Sequence, residues 1–254
     1  MAVQITNKPP DTLRWEPCPR WVRAEFGGGT VADSRNAIYV WESGRNLPVY
    51  AVPRADVVEG VLRPANGDPP AHPDPIRSLA VEADGRVAEH AAWTYEDADL
   101  ADYVAFDFRA LDRWFEESEE ITIHPRDPHH RVDAMPSERH VRIELDGETI
   151  AESRRVVTLF ETGLPTRYYL PPSDVRQDVL QPSDSHTGCP YKGTASYWTV
   201  RTAAGEHPDI AWFYPEPYDA VSAIRGRIAF YNEKVDTYVD GELEGRPQTQ
   251  WSQH

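Results

Sequence analysis

The chain has 254 residues, 23 of them proline, and a formal net charge of −16. This acidic balance argues against partners such as nucleic acids and anionic membranes, because both are bound through basic surfaces. No apolar run approaches the roughly 18 residues of a membrane-spanning helix, and the two cysteines fit a reducing compartment, so we expect a cytoplasmic protein.

From the N-terminus, the sequence is predicted to divide into five segments. Residues 1–19 are polar and interrupted by proline, and we interpret them as a tail laid over the first domain. Residues 20–123 and 139–246 are two copies of one repeated sequence. The stretch 124–138 has three prolines and few apolar residues, which is typical of a linker, and 247–254 is interpreted as a C-terminal tail.

The two copies align almost without gaps over their first halves. Residues 20–35 align with 139–154, and residues 41–44 align with 160–163. After a one-residue slip, Pro53 aligns with Pro171. An offset near 119 residues is too long for a solenoid, whose repeats run roughly 20–50 residues. The sequence therefore predicts two tandem copies of one small domain.

Both copies are predicted to be rich in β-strands. Val141, Ile143 and Leu145 alternate with charged residues, which is typical of a half-buried strand. Asp146-Gly147 then predicts a hairpin turn. Further elements are predicted as strands at 156–160, 168–170, 196–202, 210–214, 228–231 and 235–239, a turn or short helix at 172–175 capped by Ser173, and a short acidic helix at 111–120.

One loop of the second copy carries the residues best suited to chemistry. Cys189 and Lys192 lie in a run between Pro190 and Gly193 that predicts a constrained turn. A lysine near a thiol favours the reactive thiolate, although a buried structural cysteine is the alternative. The matching residues 67–75 of the first copy contain no cysteine, lysine or tyrosine. This divergence predicts a site in the second copy and a degenerate one in the first, unless the loop has changed to suit a domain interface.

Several motifs resemble the bacterial and fungal "domain of unknown function 427" family. They are the Cys-Pro-Tyr-Lys-Gly loop at 189–193, the segments 139–142, 160–171 and 211–215, and the junction 124–128, which looks like that of two-domain members. The resemblance implies a β-tent fold, in which small antiparallel sheets meet at an angle over a groove. It implies no assigned role, although a nucleotidyltransferase-like label is attached to the family.

We predict no metal and no cofactor. Related β-tent proteins often hold zinc through two Cys-x-x-Cys pairs, and Cys18 and Cys189 cannot form such pairs. A histidine cluster in the linker and an Asp-x-Asp pair are the other metal candidates, but a solvated linker and an acidic loop are the preferred explanations. Their residues are His124, His129, His130, Asp127 and Asp133 in the linker, and Asp97 and Asp99 in the loop.

The sequence thus predicts a pocket for a small polar or anionic molecule in the second copy. Cys189 would be the nucleophile or redox-sensitive group if there is catalysis, and Lys192 its charge partner or an anion clamp. The alternatives are a non-catalytic module that binds a protein or peptide in a groove between copies, and nucleotidyl transfer; enzymatic activity, ligand identity and oligomeric state stay open. The remaining predicted site residues are Arg154, Glu161, Tyr168 and Tyr191 as polar groups, with Trp212 and Tyr214 as walls.

Overall fold

The computed structural model describes residues 9–252, and this part of the chain consists mainly of β-strands. Its longest helical segment has only six residues. Proline, which is excluded from helix interiors, is spread along the sequence and opposes longer helices. The predicted mainly β class, with small antiparallel sheets and few short helices, is confirmed and is consistent with a β-tent.

The described residues form two compact units, 9–128 and 129–252, with one copy of the repeat in each. The elements of the first unit are β1 (Arg14–Pro17), β2 (Val22–Phe26), β3 (Gly29–Ser34), β4 (Ile38–Trp41), β5 (Val49–Pro53), the 3-10 helix η1 (Arg54–Asp56), β6 (Leu62–Pro64), β7 (Ile76–Ala83), β8 (Arg86–Tyr95), η2 (Ala98–Leu100), β9 (Tyr103–Phe106), β10 (Arg113–Glu116) and β11 (Glu119–Ile121).

The second unit repeats this order of elements with a few additions. Its elements are β12 (Val132–Ser137), β13 (Val141–Leu145), β14 (Glu148–Ser153), β15 (Val156–Glu161), β16 (Arg167–Tyr169), η3 (Pro172–Asp174), η4 (Gln177–Val179), β17 (Leu180–Cys189), β18 (Gly193–Arg201), β19 (Glu206–Phe213), η5 (Asp219–Ile224), β20 (Ala229–Phe230), β21 (Asp236–Val239) and β22 (Glu242–Leu243).

The same strand order is present in both units. In the first unit, one sheet runs β1-β4-β5-β9-β8-β7-β6 and a second runs β11-β10-β2-β3. In the second unit, the counterpart of the long sheet is split into β12-β15-β16 and β20-β19-β18-β17, and a single antiparallel bridge between Leu170 and Ile228 joins the two parts. The small sheet is β14-β13-β21-β22. The sequence repeat is therefore a structural repeat as well.

Each unit includes a strand that lies outside the repeat boundaries predicted from the sequence. β1, within the predicted tail 1–19, pairs with β4, and β12, within the predicted linker 124–138, pairs with β15. Both strands lie at the edge of a sheet, where a proline is tolerated because one side of the strand makes no ladder hydrogen bonds. Pro17 and Pro136 occupy such positions, which explains why these segments look like loops in the sequence.

The predicted acidic helix at 111–120 is wrong, and the predicted turn at 172–175 is correct apart from its cap. Residues 111–120 form β10 and the start of β11, because Trp114 and Glu116 alternate inward with a period of two. At 172–175 the chain forms η3, but the Ser173 hydroxyl donates to Asp174 instead of capping the helix.

Strand pairing matches individual positions between the two units. Trp93 corresponds to Trp212, because each pairs with an alanine of the next strand, Ala105 or Ala229. Along β5 and β16 the register makes Val49 the counterpart of Arg167 and Ala51 the counterpart of Tyr169. After β9 and β20, the correspondence rests on matching backbone hydrogen bonds. The Asp107 N–H donates to the Ala91 carbonyl as the Tyr231 N–H donates to that of Ile210. The Ala110 N–H donates to the Asp107 carbonyl as the Lys234 N–H donates to that of Tyr231.

Each unit has apolar clusters on both faces of its long sheet. In the first unit, the larger cluster packs the small sheet against the long one and includes Trp114 and Phe106. The smaller cluster, on the other face, includes Trp93 and Tyr95. The second unit has the same pair of clusters, and Tyr169, Trp212 and Tyr214 belong to the smaller one. The candidate site described below adjoins this smaller cluster.

The turn between β2 and β3 requires glycine at its first position. Gly27 has a φ of +62°, and a Cβ atom there would lie 2.6 Å from the backbone oxygen of Ala83. Gly27→Ala is therefore expected to lower the free energy of unfolding of the first unit by roughly 2 kcal/mol, as measured by urea denaturation. Gly29→Ala is the matched control, since Gly29 has no neighbour within 4 Å and an ordinary φ. Equal stabilities for the two variants would contradict this account.

Candidate functional site

A buried carboxylate at the end of β15 organises the predicted region of the second unit. The Glu161 side chain is only 5% exposed, and its Oε2 accepts a hydrogen bond from the Lys192 ammonium, which is itself 9% exposed. The Glu161 Oε1 lies 3.1 Å from Nε2 of His130. Because a buried carboxylate is costly without partners, these two contacts hold the charge in place.

The loop that carries Lys192 is a tight hairpin between β17 and β18. Cys189 pairs with Gly193 across the turn, and the Lys192 N–H donates to the Cys189 carbonyl at 3.3 Å. Gly193 has a φ of +100°, and a Cβ atom there would lie 3.0 Å from the Glu216 carbonyl. The predicted constrained turn is therefore present. The Tyr191 ring stacks on the His130 imidazole with 4.0 Å between centroids.

Buried aromatic side chains lie beneath this hairpin. Trp212 and Tyr214 stand on the same face of β19 and its extension, and the Trp212 indole N–H donates to the Tyr169 hydroxyl at 3.1 Å. Burial raises the pKa of Tyr214, and the nearby charges of Cys189 and Glu161 act in the same direction. Tyr169 was missed by sequence reasoning, which chose its neighbour Tyr168.

Two predicted site residues lie elsewhere. Tyr168 and Tyr169 point to opposite faces of β16, because adjacent strand residues alternate. The Tyr168 hydroxyl donates to Glu244 at 2.8 Å, and its ring belongs to the larger cluster. Arg154 is exposed in the turn after β14, where its charge acts on Asp240 rather than on Cys189. The structure brings together the other predicted residues and adds His130, which the sequence suggested only as a metal candidate, and Tyr169.

The charge of Lys192 is balanced within the protein. Burial acts to raise the pKa of Glu161, but the hydrogen bond from His130 and the Lys192 cation outweigh it, so the pKa is lowered. Glu161 is therefore ionised at neutral pH and neutralises Lys192. An anionic ligand that used Lys192 as a clamp would have to displace the buried Glu161 carboxylate.

The first unit has a matching buried carboxylate with different partners. Glu42, the counterpart of Glu161, has a fully buried side chain. It lies 2.8 Å from Nε2 of His72, accepts a 2.8 Å hydrogen bond from the Tyr95 hydroxyl and is bonded by Arg45. Burial opposes protonation of His72, but Glu42 and the Asp74 carbonyl outweigh it, so the pKa of His72 is raised.

A cavity of about 540 Å³ adjoins this cluster in the first unit. Its wall is mostly apolar, with three histidines, two arginines and one acid among the polar residues. Leu47 and Ile123 are each more than 40% exposed and form part of the wall. The lining residues are Arg45, Asn46, Leu47, Pro48, Val49, Pro70, Ala71, His72, Ile76, Ser78, His90, Trp93, Asp107, Phe108, Arg109, Ile123, His124 and Pro125.

Several predicted site residues of the second unit correspond to lining residues of this cavity. Trp212 corresponds to Trp93, and His72 reaches Glu42 from the loop before β7 as Lys192 reaches Glu161 from the loop before β18. The equivalent region of the first unit is therefore the loop before β7 together with Trp93, and the cavity lies there.

Larger side chains occupy the corresponding space in the second unit. Arg167 stands where the first unit has Val49, and it forms a bidentate pair with Glu233 at 2.6 and 2.7 Å. Both side chains are less than 10% exposed. The guanidinium faces the Trp212 ring at 5.5 Å. A buried ion pair and its aromatic neighbours thus replace the open volume of the first unit.

One polar group in the cavity wall lacks a hydrogen bond among the described residues. The indole Nε1 of Trp93 is buried without a partner, whereas that of Trp212 is bonded to Tyr169. The difference follows from Ala51, which stands at the position of Tyr169 and has no hydroxyl. The Tyr95 hydroxyl is near enough for Trp93 to influence its pKa, but the two make no hydrogen bond of normal geometry.

The other candidate motifs have local structural roles. Asp97 accepts a hydrogen bond from the Asp99 N–H and so caps η2. In the linker stretch, Asp133 pairs with Arg131 at 2.7 Å and Asp127 accepts from the Trp41 indole. No group of three or more histidine, cysteine or acidic side chains in the described residues is arranged to hold a metal. No helix within 9–252 has the length and apolar character needed to cross a membrane.

The fold and the repeated carboxylate define a protein built from two copies of one β domain. A family model described as a domain of unknown function (DUF427) matches residues 14–117 and again residues 133–241, which together are more than half of the chain. The chain therefore belongs to this family and contains two of its domains. No curated protein matches the sequence.

The pair formed by Glu161 and Lys192 makes a testable contribution to stability. Because the folded-state pKa of Glu161 is lowered from its ordinary 4.5, the pair stabilises the fold above about pH 4.5, and this contribution is lost as the pH falls through the folded value. Glu161→Gln should lower the free energy of unfolding of the second unit at neutral pH by about 3–5 kcal/mol, since it leaves Lys192 buried without its countercharge.

Urea denaturation at several pH values would test this prediction. The difference between wild type and Glu161→Gln should shrink as the pH falls below about 4.5. Glu138→Gln, at an exposed position, is the control and should leave stability within about 0.5 kcal/mol. A pH-independent difference, or an effect no larger than that of the control, would contradict the assignment.

Proposed function

We propose that this chain binds a small molecule and that the cavity of the first unit holds it. The carrying observation is that Val49 lines this cavity, whereas Arg167, at the equivalent position of the second unit, forms a buried ion pair with Glu233. A concave surface next to a buried, charged cluster offers room and polar anchors for a ligand. Its size of about 540 Å³ falls within the usual range of ligand sites, roughly 300–1,000 Å³.

The composition of the wall supports the same proposal. Ligand sites combine apolar walls with a few polar groups that orient the bound molecule. Here His72 is held in place by Glu42, and His90 by a 2.9 Å contact with the Ser78 hydroxyl. The Trp93 ring also lies in the wall, so its indole N–H signal reports on occupancy of the cavity.

The two equivalent tryptophans offer a direct test by NMR. In ¹⁵N-labelled protein, the Trp93 indole signal, assigned through Trp93→Phe, should shift when a molecule from a fragment library enters the cavity. The Trp212 indole signal should stay unchanged, because Tyr169 already satisfies it and Arg167 occupies the neighbouring space. Native mass spectrometry of protein from cell extract would search for a retained molecule. A Trp93 signal that no fragment moves, with no retained molecule, would overturn the proposal.

A thiol-centred site in the second unit is the second candidate function. The observation that favours it is the contrast between the two cysteines. Cys18 is 3% exposed within the larger cluster, and burial raises its pKa. Cys189 is only partly buried and lies in the same constrained turn as Lys192. Such a thiol is placed to react with an electrophilic or oxidising small molecule.

Alkylation should distinguish the two thiols. At neutral pH, iodoacetamide should modify Cys189 in the native protein while Cys18 stays protected until unfolding, as peptide mass mapping would show. Lys192→Met should slow the reaction, because it removes a cation from the turn and leaves the Glu161 carboxylate without its countercharge. Native protection of Cys189 equal to that of Cys18 would return this loop to a packing role.

A further inference from the structure

The second unit indicates what the cavity of the first unit lacks. Arg167 and Glu233 form an ion pair that is closed on all sides. The Thr249 hydroxyl donates to Glu233 at 2.7 Å, and Asn232 accepts from Arg167 at 3.2 Å. A cation from one strand thus meets an anion from the segment after β20. This pair fills the space next to Trp212.

The same two positions in the first unit carry a different charge pattern. Val49 replaces the cation, and Arg109, three residues after Phe106, replaces Glu233, which is three residues after Phe230. Both residues line the cavity. Among residues 9–252, no hydrogen bond or ion pair holds the Arg109 guanidinium, although its backbone N–H donates to Asp107. The first unit therefore has a charge of opposite sign at the Glu233 position, and the residue at the Arg167 position, Val49, is uncharged.

The other lining residues favour an anion as the missing partner. Two arginines, Arg45 and Arg109, face a single acid, Asp107. The Arg45 charge is already matched by Glu42, which leaves Arg109 as the unmatched cation. Guanidinium groups bind carboxylates through two parallel hydrogen bonds, as Arg167 does with Glu233. The rest of the wall is apolar, so the body of the ligand should be apolar too.

We infer that the cavity of the first unit binds a carboxylate on an apolar, ring-sized body, with the carboxylate paired to Arg109. The ligand would supply the acid that Glu233 supplies in the second unit and would lie against Trp93, as Arg167 lies against Trp212. This inference rests on the proposed function, since it names the chemical class that the same cavity takes.

Matched pairs of probes test the class separately from the site. Wild-type protein would be titrated with 2-naphthoate and its neutral isostere 2-naphthamide, with the Trp93 indole signal as the readout. The carboxylate should bind at least about tenfold more tightly, a difference that one charge-assisted pair can supply. Arg109→Gln should remove the preference, and Arg109→Glu should reverse it. Arg54→Gln, at an exposed arginine outside the cavity wall, should leave it unchanged.

The outcomes separate the two claims. Equal binding of both probes at the Trp93 signal, unaffected by Arg109→Gln, would keep the cavity as a ligand site and overturn the carboxylate inference. Absence of any shift with either probe or with the fragment library would overturn the proposed function itself. A preference for naphthoate that Arg54→Gln also removes would mean that net charge, and not Arg109, attracts the anion, and would likewise overturn the inference.

Discussion

The arrangement of both units depends on one buried carboxylate at the end of the second strand of the long sheet. A carboxylate that is nearly or fully inaccessible to water must be paired, since an isolated buried charge costs several kcal/mol. Glu161 meets Lys192 and His130, whereas Glu42 meets His72, Tyr95 and Arg45. In each unit, this requirement fixes one loop over the smaller apolar cluster. The loop precedes β18 in the second unit and β7 in the first, and Lys192 or His72 reaches the carboxylate from it.

The two units satisfy the same constraint and then diverge in what lies beside it. In the second unit, Arg167 and Tyr169 fill the neighbouring space, and residues of the C-terminal segment contribute as Thr249 binds Glu233 and Trp251 faces the guanidinium at 5.7 Å. In the first unit, Val49 stands at the position of Arg167 and lines the cavity. Duplication permits such a division, because one copy can keep a closed, well-packed form while the other keeps a cavity.

Much of the fold could be predicted from the sequence, and the reasons are local. The alternation of Val141, Ile143 and Leu145 and the Asp146-Gly147 turn follow from short-range rules, and the structure has a strand and a hairpin there. Edge strands β1 and β12 could not be predicted, because their prolines and polar residues are tolerated only at a sheet edge, which is a property of the tertiary structure. The acidic run 111–120 looked helical for a similar reason, since its inward period of two rests on Trp114 and Glu116 alone.

The candidate site shows a different limit. Cys189, Tyr191 and Trp212 carry reactive or aromatic groups that a sequence displays directly, and Trp93, the counterpart of Trp212, lines the cavity. In the sequence, the absence of cysteine and lysine at 67–75 predicts a degenerate site in the first copy. Small side chains matter as much as reactive ones, because they leave room in the folded domain. Val49 and Ala51 are such side chains, and nothing in the sequence marks them. An exposed arginine by itself is ordinary. Arg109 indicates a binding role only because it occupies the position of Glu233 in the second unit. Comparison of equivalent positions between the two folded copies therefore yields information that neither copy's sequence contains alone.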